Sequence, residues 1–317
     1  MKIMSVLVTI LILMSLLGNT EAADVREKPL SQQEITTAVK NLISLIEQDY
    51  IHENLSEKAV TVLSAALNRG EFNGYFPYRR FKIKLESMLF EVTRDSNFEL
   101  RFRSGLSKTN VTADEIIPGA IHTMMLDNNI GYLAVDGDLI DDFWQTELDF
   151  AMTALSDSRA LVIDVRDAGL STLAFSQHIL SYFLPPSQFL SKVSLAHQEH
   201  IELRSKEIEN PINQNVEVYI VTSPFVAGAW EFIAYTLQQA GRATIVGKPT
   251  IGLGFMTVTK PLSEQLSIKM AYAKMINPKT QTDWQEEGVV PDVQCGAEEA
   301  IAATLSLISQ TIPTQCD

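Results

Sequence analysis

The chain has 317 residues, of which 46% are hydrophobic and 20% are charged, and this balance is typical of a folded globular protein and not of a disordered one. Its formal net charge of −14 argues against nucleic acid or an anionic membrane as the main partner. A chain of this length predicts two domains with a sizeable core.

The N-terminus has the pattern of a secretory signal peptide. Lys2 precedes an apolar run over residues 3–17, and small residues follow up to Ala22 and Ala23. We predict a cleaved signal peptide over residues 1–22, a secreted or periplasmic mature protein, and no stable membrane insertion after cleavage. An uncleaved anchor helix is the alternative, although the run is short for a membrane span.

A helical N-terminal domain is predicted over residues 23–105. Apolar residues at helical spacing predict three amphipathic helices, over residues 31–50, 56–68 and 77–94. Ser31 and Glu34 form a capping box at the start of the first helix. No motif in this domain points to chemistry.

Strands and helices alternate in a second domain, predicted over residues 118–317 after a strand at 98–103 and a polar segment at 104–117. Strands are predicted over residues 120–126, 130–136, 160–165, 216–222, 243–246, 255–259 and 266–271, with two more between 189 and 204. Helices are predicted over residues 142–155, 171–183, 226–239 and 297–309. This alternation predicts a parallel sheet built through right-handed crossovers.

One strand leads through Ser223 and Pro224 into a helix N-terminus, a place where many hydrolases hold a nucleophile. The centre of this turn is Ala227-Gly228-Ala229, which contains no nucleophile. We expect free backbone N–H groups around Gly228, where a carboxylate of a ligand could bind.

Several motifs resemble one protease family when they are taken in chain order. They are Gly131–Val135, Leu161–Arg166, the set Thr222, Ser223, Ala229, Glu231 and Tyr235, the strand Gly241–Gly247, and the set Trp284, Gly288, Val289, Pro291 and Asp292. Together they resemble the tail-specific (C-terminal processing) serine proteases, in the branch without a PDZ domain that includes interphotoreceptor retinoid-binding protein. The resemblance implies an α/β fold class: an N-terminal three-helix domain followed by a mixed α/β tail-specific-protease (ClpP/crotonase-like) domain.

The resemblance also implies a catalytic site whose positions are all substituted here. The nucleophilic serine of the family corresponds to Gly228, the histidine base to Asn97 and the supporting glutamate to Lys248. Glycine has no atom that can attack a carbonyl, asparagine does not titrate near neutral pH, and lysine reverses the charge that would orient an imidazole. The glycine pair that shapes the oxyanion pocket is reduced to Gly169-Leu170.

The resemblance and these substitutions predict a pseudoprotease that binds a peptide or an apolar ligand in the vestigial cleft, at Gly169, Ala227, Gly228 and Ala229. The alternative is an active serine-type endopeptidase that uses an unrecognised nucleophile. Ser223 is the obvious substitute, although a turn or helix-cap hydroxyl is the favoured role for it. A third alternative is an assembly protein whose cleft is idle. No cofactor is expected.

The remaining polar residues are interpreted structurally. His197 and His200 could belong to a metal site, but solvated side chains are the favoured interpretation and no metal is predicted. His122 has no visible partner. Asp164 and Arg166 are expected to form an ion pair. Cys295 and Cys316 could form a disulfide in an oxidising compartment.

Overall fold

The structure, a computed structural model, describes residues 28–74, 76–103, 119–141 and 143–310. The predicted signal peptide, the polar segment at 104–117 and Cys316 lie outside these residues. The chain divides into two compact units. Of the described residues, the helical unit comprises 28–74, 76–103 and 257–271, and the α/β unit comprises 119–141, 143–256 and 272–310.

The helical unit contains three amphipathic helices, as predicted. They are α1 (Gln32–Asp49), α2 (Glu53–Asn68) and α3 (Tyr78–Thr93). Strands β1 (Pro29–Leu30) and β2 (Phe76–Pro77) pair antiparallel, and β3 (Glu99–Phe102) follows α3. The Ser31 hydroxyl accepts a hydrogen bond from the Glu34 N–H (3.1 Å), which confirms the N-cap. The Glu34 carboxyl group bonds to the Ser263 hydroxyl instead (2.6 Å).

A late segment of the chain completes the helical unit. The first residues of β12 (Leu266–Ile276) pair antiparallel with β3, with Leu266 opposite Phe102 and Lys269 opposite Glu99. The sequence did not predict this pairing, because no local pattern links strands so far apart in the chain.

The α/β unit is built on a six-stranded sheet in the order β13-β10-β9-β6-β5-β4. These strands are β4 (Ile121–Leu126), β5 (Ile130–Val135), β6 (Ala160–Asp164), β9 (Glu217–Thr222), β10 (Thr244–Gly247) and β13 (Val293–Gln294). All neighbouring pairs are parallel except the β4–β5 hairpin. The mixed α/β fold class is therefore confirmed.

Helices cover both faces of this sheet. They are α4 (Trp144–Ala154), α5 (Leu173–Phe183), α6 (Ala229–Ala240) and α7 (Ala300–Ile308). Leu133, Ile163 and Ile220 pack with residues of α4, α5 and α6, whereas Val162 and Val221 pack with α7. Every residue of β6 is buried, as its continuous apolar run predicts for a central strand.

Three further strands lie outside the six-stranded sheet. They are β7 (Phe189–Leu195), β8 (His200–Arg204) and β11 (Phe255–Pro261). Strand β7 pairs antiparallel with β8 and with the end of β12.

Helix α6 begins at Ala229 and not at residue 226, because Gly228 has a φ of 56°, which no right-handed helix accepts. Cys295 is buried and disulfide-bonded.

Candidate functional site

The candidate site lies at the edge of the sheet where β6, β9 and β10 end. The turn after β9 begins with Ser223, whose side chain is 3% exposed. Its hydroxyl donates to the Arg166 carbonyl (3.1 Å) and accepts from the Phe225 N–H (3.3 Å). These contacts support the turn-hydroxyl role predicted for Ser223. They also leave its oxygen buried, with its proton donated to a carbonyl.

Gly228 is the N-cap residue of α6 and has an unusual backbone conformation. Its φ of 56° and ψ of −110° lie outside every region that residues with a Cβ favour. A Cβ added there would meet no atom within 4 Å. This is a sharp, strained strand-to-helix turn of the kind that presents the nucleophile in hydrolases. The turn has room for a side chain but carries none.

A buried carboxyl group holds this turn together. Glu231, on the first turn of α6, is fully buried, and its carboxyl oxygens accept four hydrogen bonds. The donors are the N–H groups of Gly228, Gly252 and Leu253 (2.8, 2.7 and 2.8 Å) and the Thr250 hydroxyl (2.5 Å). The Thr250 hydroxyl in turn accepts from the Val289 N–H (2.7 Å). Glu231 therefore ties the start of α6 to the loop around Gly252, and Thr250 links that loop to Val289. The match of Glu231 to the family motif placed it beside Gly228, but no sequence signal pointed to these donors.

The N–H groups around Gly228 are only partly free. This N–H is donated to Glu231, and the Trp230 N–H is donated to the Ala227 carbonyl (3.2 Å). Among the described residues, only the Ala229 and Glu231 N–H groups of this first turn lack an acceptor. A carboxylate of a ligand would have to compete with a carboxyl group that is already in place.

The resemblance assigns Gly169 and Leu170 to the oxyanion pocket, and both residues donate their N–H groups to acceptors within the protein. The Gly169 N–H donates to the Gly137 carbonyl (3.0 Å), and the Leu170 N–H donates to the Asp138 carboxylate (2.7 Å). The Gly169 carbonyl accepts from the Trp230 indole (2.9 Å). A Cβ on Gly169 would lie 2.8 Å from the backbone carbonyl carbon and oxygen of Gly137, so only glycine fits here. Both N–H groups are therefore unavailable to stabilise an oxyanion.

The ion pair expected at the end of β6 is present. The Arg166 guanidinium donates two hydrogen bonds to the Asp164 carboxylate (2.8 and 2.7 Å), which also accepts from the Tyr132 hydroxyl (2.8 Å). Burial alone would raise the pKa of Asp164, but these hydrogen bonds hold it below its usual value. Burial and the Asp164 carboxylate raise the pKa of Tyr132 to about 12. The contacts give this pair a structural role.

The two other substituted positions lie in different units. Lys248, in the α/β unit, directly follows β10, and its carbonyl accepts from the Thr222 hydroxyl (2.9 Å). Among the described residues its half-buried side chain has no ion-pair partner. Asn97 lies in the helical unit, where its backbone and side-chain N–H groups donate to Asp95 (2.8 and 2.7 Å). Neither side chain is a general base.

Exposed apolar side chains surround the Gly228 turn. We call Leu170, Phe225, Ile251 and Leu253 the apolar rim; they are 67%, 83%, 51% and 45% exposed. Backbone contacts fix their positions, because the Ile251 N–H donates to the Val226 carbonyl (3.1 Å) and the Leu253 N–H donates to Glu231. Exposed apolar groups concentrated at one place mark a binding surface.

Two of the described histidines pair with carboxylates. His178 is buried, and its Nε2 lies 2.6 Å from the Asp149 carboxylate. His122, for which no partner was expected, contacts Asp136 (2.9 Å). No three metal-ligating side chains within the described ranges are close enough together to hold an ion. Likewise, none of the described helices has the length and apolar character needed to span a bilayer.

Two solved structures share the fold. A putative peptidase from Parabacteroides merdae ATCC 43184 is 15% identical, with a TM-score of 0.60 over 88% of this chain and 99% of that one. A lipoprotein from Streptococcus agalactiae is 12% identical, with a TM-score of 0.61 over 88% of this chain and 97% of that one. At these identities the likeness shows the fold alone.

The family of the protein is identified from its sequence. The model of peptidase family S41 matches residues 129–295, a span that includes every motif on which the resemblance rests. The resemblance to tail-specific proteases is thereby confirmed at the level of the family. The chain belongs to peptidase family S41.

Proposed function

We propose that this member of family S41 is a pseudoprotease, which binds a peptide or an apolar ligand around Gly228 and does not hydrolyse it. One observation carries the proposal. The backbone at Gly228 has the strained conformation of a nucleophile-bearing turn, yet the residue has no side chain. From the signal peptide predicted over residues 1–22 we further propose that the protein acts in the periplasm or the medium.

The surroundings of Gly228 support the absence of hydrolysis. Acyl transfer needs a nucleophile, a base and donors for the oxyanion. The hydroxyl closest in the chain, on Ser223, is buried and donates to a carbonyl. The N–H groups of Gly169 and Leu170 are donated within the protein.

The apolar rim supports ligand binding. Burying a leucine or phenylalanine side chain contributes about 1.5–3 kcal/mol, so two or three rim contacts supply part of the roughly 8 kcal/mol of micromolar affinity, and further contacts along the ligand supply the rest. Because the Gly228 N–H is already donated to Glu231, the free carboxylate of a peptide is not needed for binding. We therefore expect a peptide with an amidated C-terminus to bind as well as one with a free C-terminus.

Labelling with a fluorophosphonate probe tests the catalytic half of the proposal. We expect no labelling of the purified protein, with an active serine hydrolase as the positive control. Labelling of the parent protein that disappears in Ser223→Ala, or in another serine variant, would establish an active serine peptidase and overturn the proposal.

Fluorescence anisotropy tests the binding half, with a labelled octapeptide of alternating leucine and serine, and with oleate as a competitor. We expect Phe225→Ser and Leu170→Ser each to weaken binding about tenfold, the loss of one buried apolar contact. Phe150→Ser is the matched control, because Phe150 on α4 is 76% exposed and lies outside the rim. If neither probe binds, the cleft is idle and the assembly alternative stands.

A further inference from the structure

The helical unit has a groove of its own between α3 and β3. Its cavity volume is about 640 Å³, and it shares no residue with the surface around Gly228. The lining includes Tyr78, Arg79, Lys82, Ile83, Arg101 and Phe102. Cationic and apolar side chains therefore line the same groove.

The apolar part of the lining is accessible. Ile83 is 54% exposed, although it lies on a helix whose opposite face, with Phe81 and Leu85, is fully buried. The Phe102 ring is partly exposed, and the Lys28 ammonium lies 4.4 Å from its centroid. An apolar side chain of a partner could pack on Ile83 and Phe102.

The charge of the groove is opposite to that of the chain. Arg79, Arg80, Lys82 and Lys84 follow one another on α3 with no acidic residue among them. Basic side chains outnumber acidic ones in the described part of the helical unit, although the whole chain has a net charge of −14.

Two of the three lining cations already have an acidic neighbour. Lys82 contacts Glu86 (2.6 Å) and Arg101 contacts Glu99 (2.8 Å). Arg79 is exposed and, within the described ranges, has no acidic partner. Arg79 therefore gives the groove a positive charge that no acidic side chain of the described residues neutralises.

The backbone edge of β3 in this groove is closed. The Leu100 N–H donates to the Glu86 carboxylate (2.6 Å), and the Leu100 carbonyl accepts from the Tyr78 hydroxyl and the Lys82 ammonium (2.7 and 2.8 Å). A partner cannot add a strand to an edge whose hydrogen bonds are taken. Recognition must occur through side chains.

We propose that the α3–β3 groove binds an acidic peptide segment of a partner protein that carries an apolar side chain. A carboxylate of the segment pairs with Arg79, and the apolar side chain packs on Ile83 and Phe102. A concave site lined partly by Glu99 suits a peptide better than a flat anionic membrane. The site is independent of the function proposed for the α/β unit.

Anisotropy of a fluorescein-labelled peptide, three repeats of Glu-Leu-Asp, tests this with the full chain. We expect Arg79→Glu and Ile83→Ser each to weaken binding about tenfold, and added salt to weaken it further. Lys40→Glu, the same charge reversal at an exposed site on α1, and Ile140→Ser, at an exposed site in the α/β unit, are matched controls. They should leave the affinity within about twofold of the parent value.

Several results would overturn the proposal. One is the absence of binding by the parent chain. Another is equal binding of a Lys-Leu-Lys peptide, which would show that charge is not recognised. A third is an affinity that neither Arg79→Glu nor Ile83→Ser changes. Binding of phosphatidylglycerol vesicles, lost in Arg79→Glu, by a protein that ignores the peptide would assign the groove to membranes instead.

Discussion

Replacing Gly228 with alanine tests the backbone conformation on which the proposed function rests. The added Cβ meets no atom within 4 Å, so the substitution introduces no clash and its effect is conformational. Residues held in sparsely populated backbone regions are destabilised by about 1–3 kcal/mol. Alanine also lowers the entropy of the unfolded chain, which offsets about 0.4–1 kcal/mol. We expect Gly228→Ala to lower the free energy of unfolding by about 1–2 kcal/mol.

Urea unfolding followed by tryptophan fluorescence measures this loss in the right unit. All three tryptophans, Trp144, Trp230 and Trp284, belong to the α/β unit. Gly241→Ala is the matched control, because Gly241 also has open space around it but has ordinary left-handed angles, with φ 70° and ψ 25°. The loss at Gly228 should exceed the loss at Gly241. A neutral or stabilising Gly228→Ala would refute the strained turn.

The corresponding serine variant tests the catalytic argument. Gly228→Ser restores the nucleophile but should restore no hydrolysis of a fluorogenic peptide. Neither Asn97 nor Lys248 can activate the new serine, and the Gly169 N–H is donated to Gly137. Measurable turnover in this single variant would show that another group supplies the base and that the supporting positions are wrongly assigned.

The remaining predictions concern the contacts around the turn. Glu231→Gln replaces one carboxyl oxygen with an amide NH₂ that faces two buried donors. A buried donor without an acceptor destabilises the fold by about 1–3 kcal/mol, so the urea midpoint should fall sharply. The control Glu217→Gln, at an exposed position, should leave the midpoint unchanged. Thr250→Val removes the hydroxyl that bridges Glu231 and a backbone N–H, and should lower the free energy of unfolding by about 1–3 kcal/mol, whereas Thr250→Ser should retain most of it. The pKa of Asp164 is lower in the folded protein than in the unfolded chain, where it is about 3.9. The ionised Asp164 therefore stabilises the fold fully at pH values above about 3.9, and this stabilisation is lost as the pH falls through the folded-state pKa. Urea midpoints between pH 2 and 6 should therefore depend less on pH in Asp164→Asn than in the parent.

Much of the fold could be predicted because its signals are local. The continuous apolar run of β6 indicates a strand covered on both faces, and the structure buries every residue of it. Ser31 caps α1 through a contact that spans three residues. The Asp164–Arg166 pair likewise joins residues two apart on the chain. Each of these features depends on neighbours that a short window of sequence contains.

The candidate site was harder to predict because its decisive contacts are distant in sequence. The donors to Glu231 come from residues up to 22 positions away, and they are mostly backbone N–H groups, which every residue type except proline has. No side-chain pattern indicates that such a group points at a carboxyl oxygen. The same reason explains why the sequence did not show that the Gly228 N–H is donated to Glu231. Burial of the N–H of Gly169 and of the Ser223 hydroxyl also depends on tertiary contacts.

The Glu231 contacts indicate why the turn persists without its nucleophile. A strained backbone conformation survives only when surrounding contacts impose it. Here four hydrogen bonds to one buried carboxyl group connect the start of α6 to the loop around Gly252, whatever residue occupies position 228. Glycine is the residue least strained in that conformation, so glycine at position 228 stabilises the turn but offers no nucleophile. The surface around Gly228 has a stable shape and an exposed apolar rim, which are what ligand binding requires. Binding, unlike hydrolysis, does not require a nucleophile.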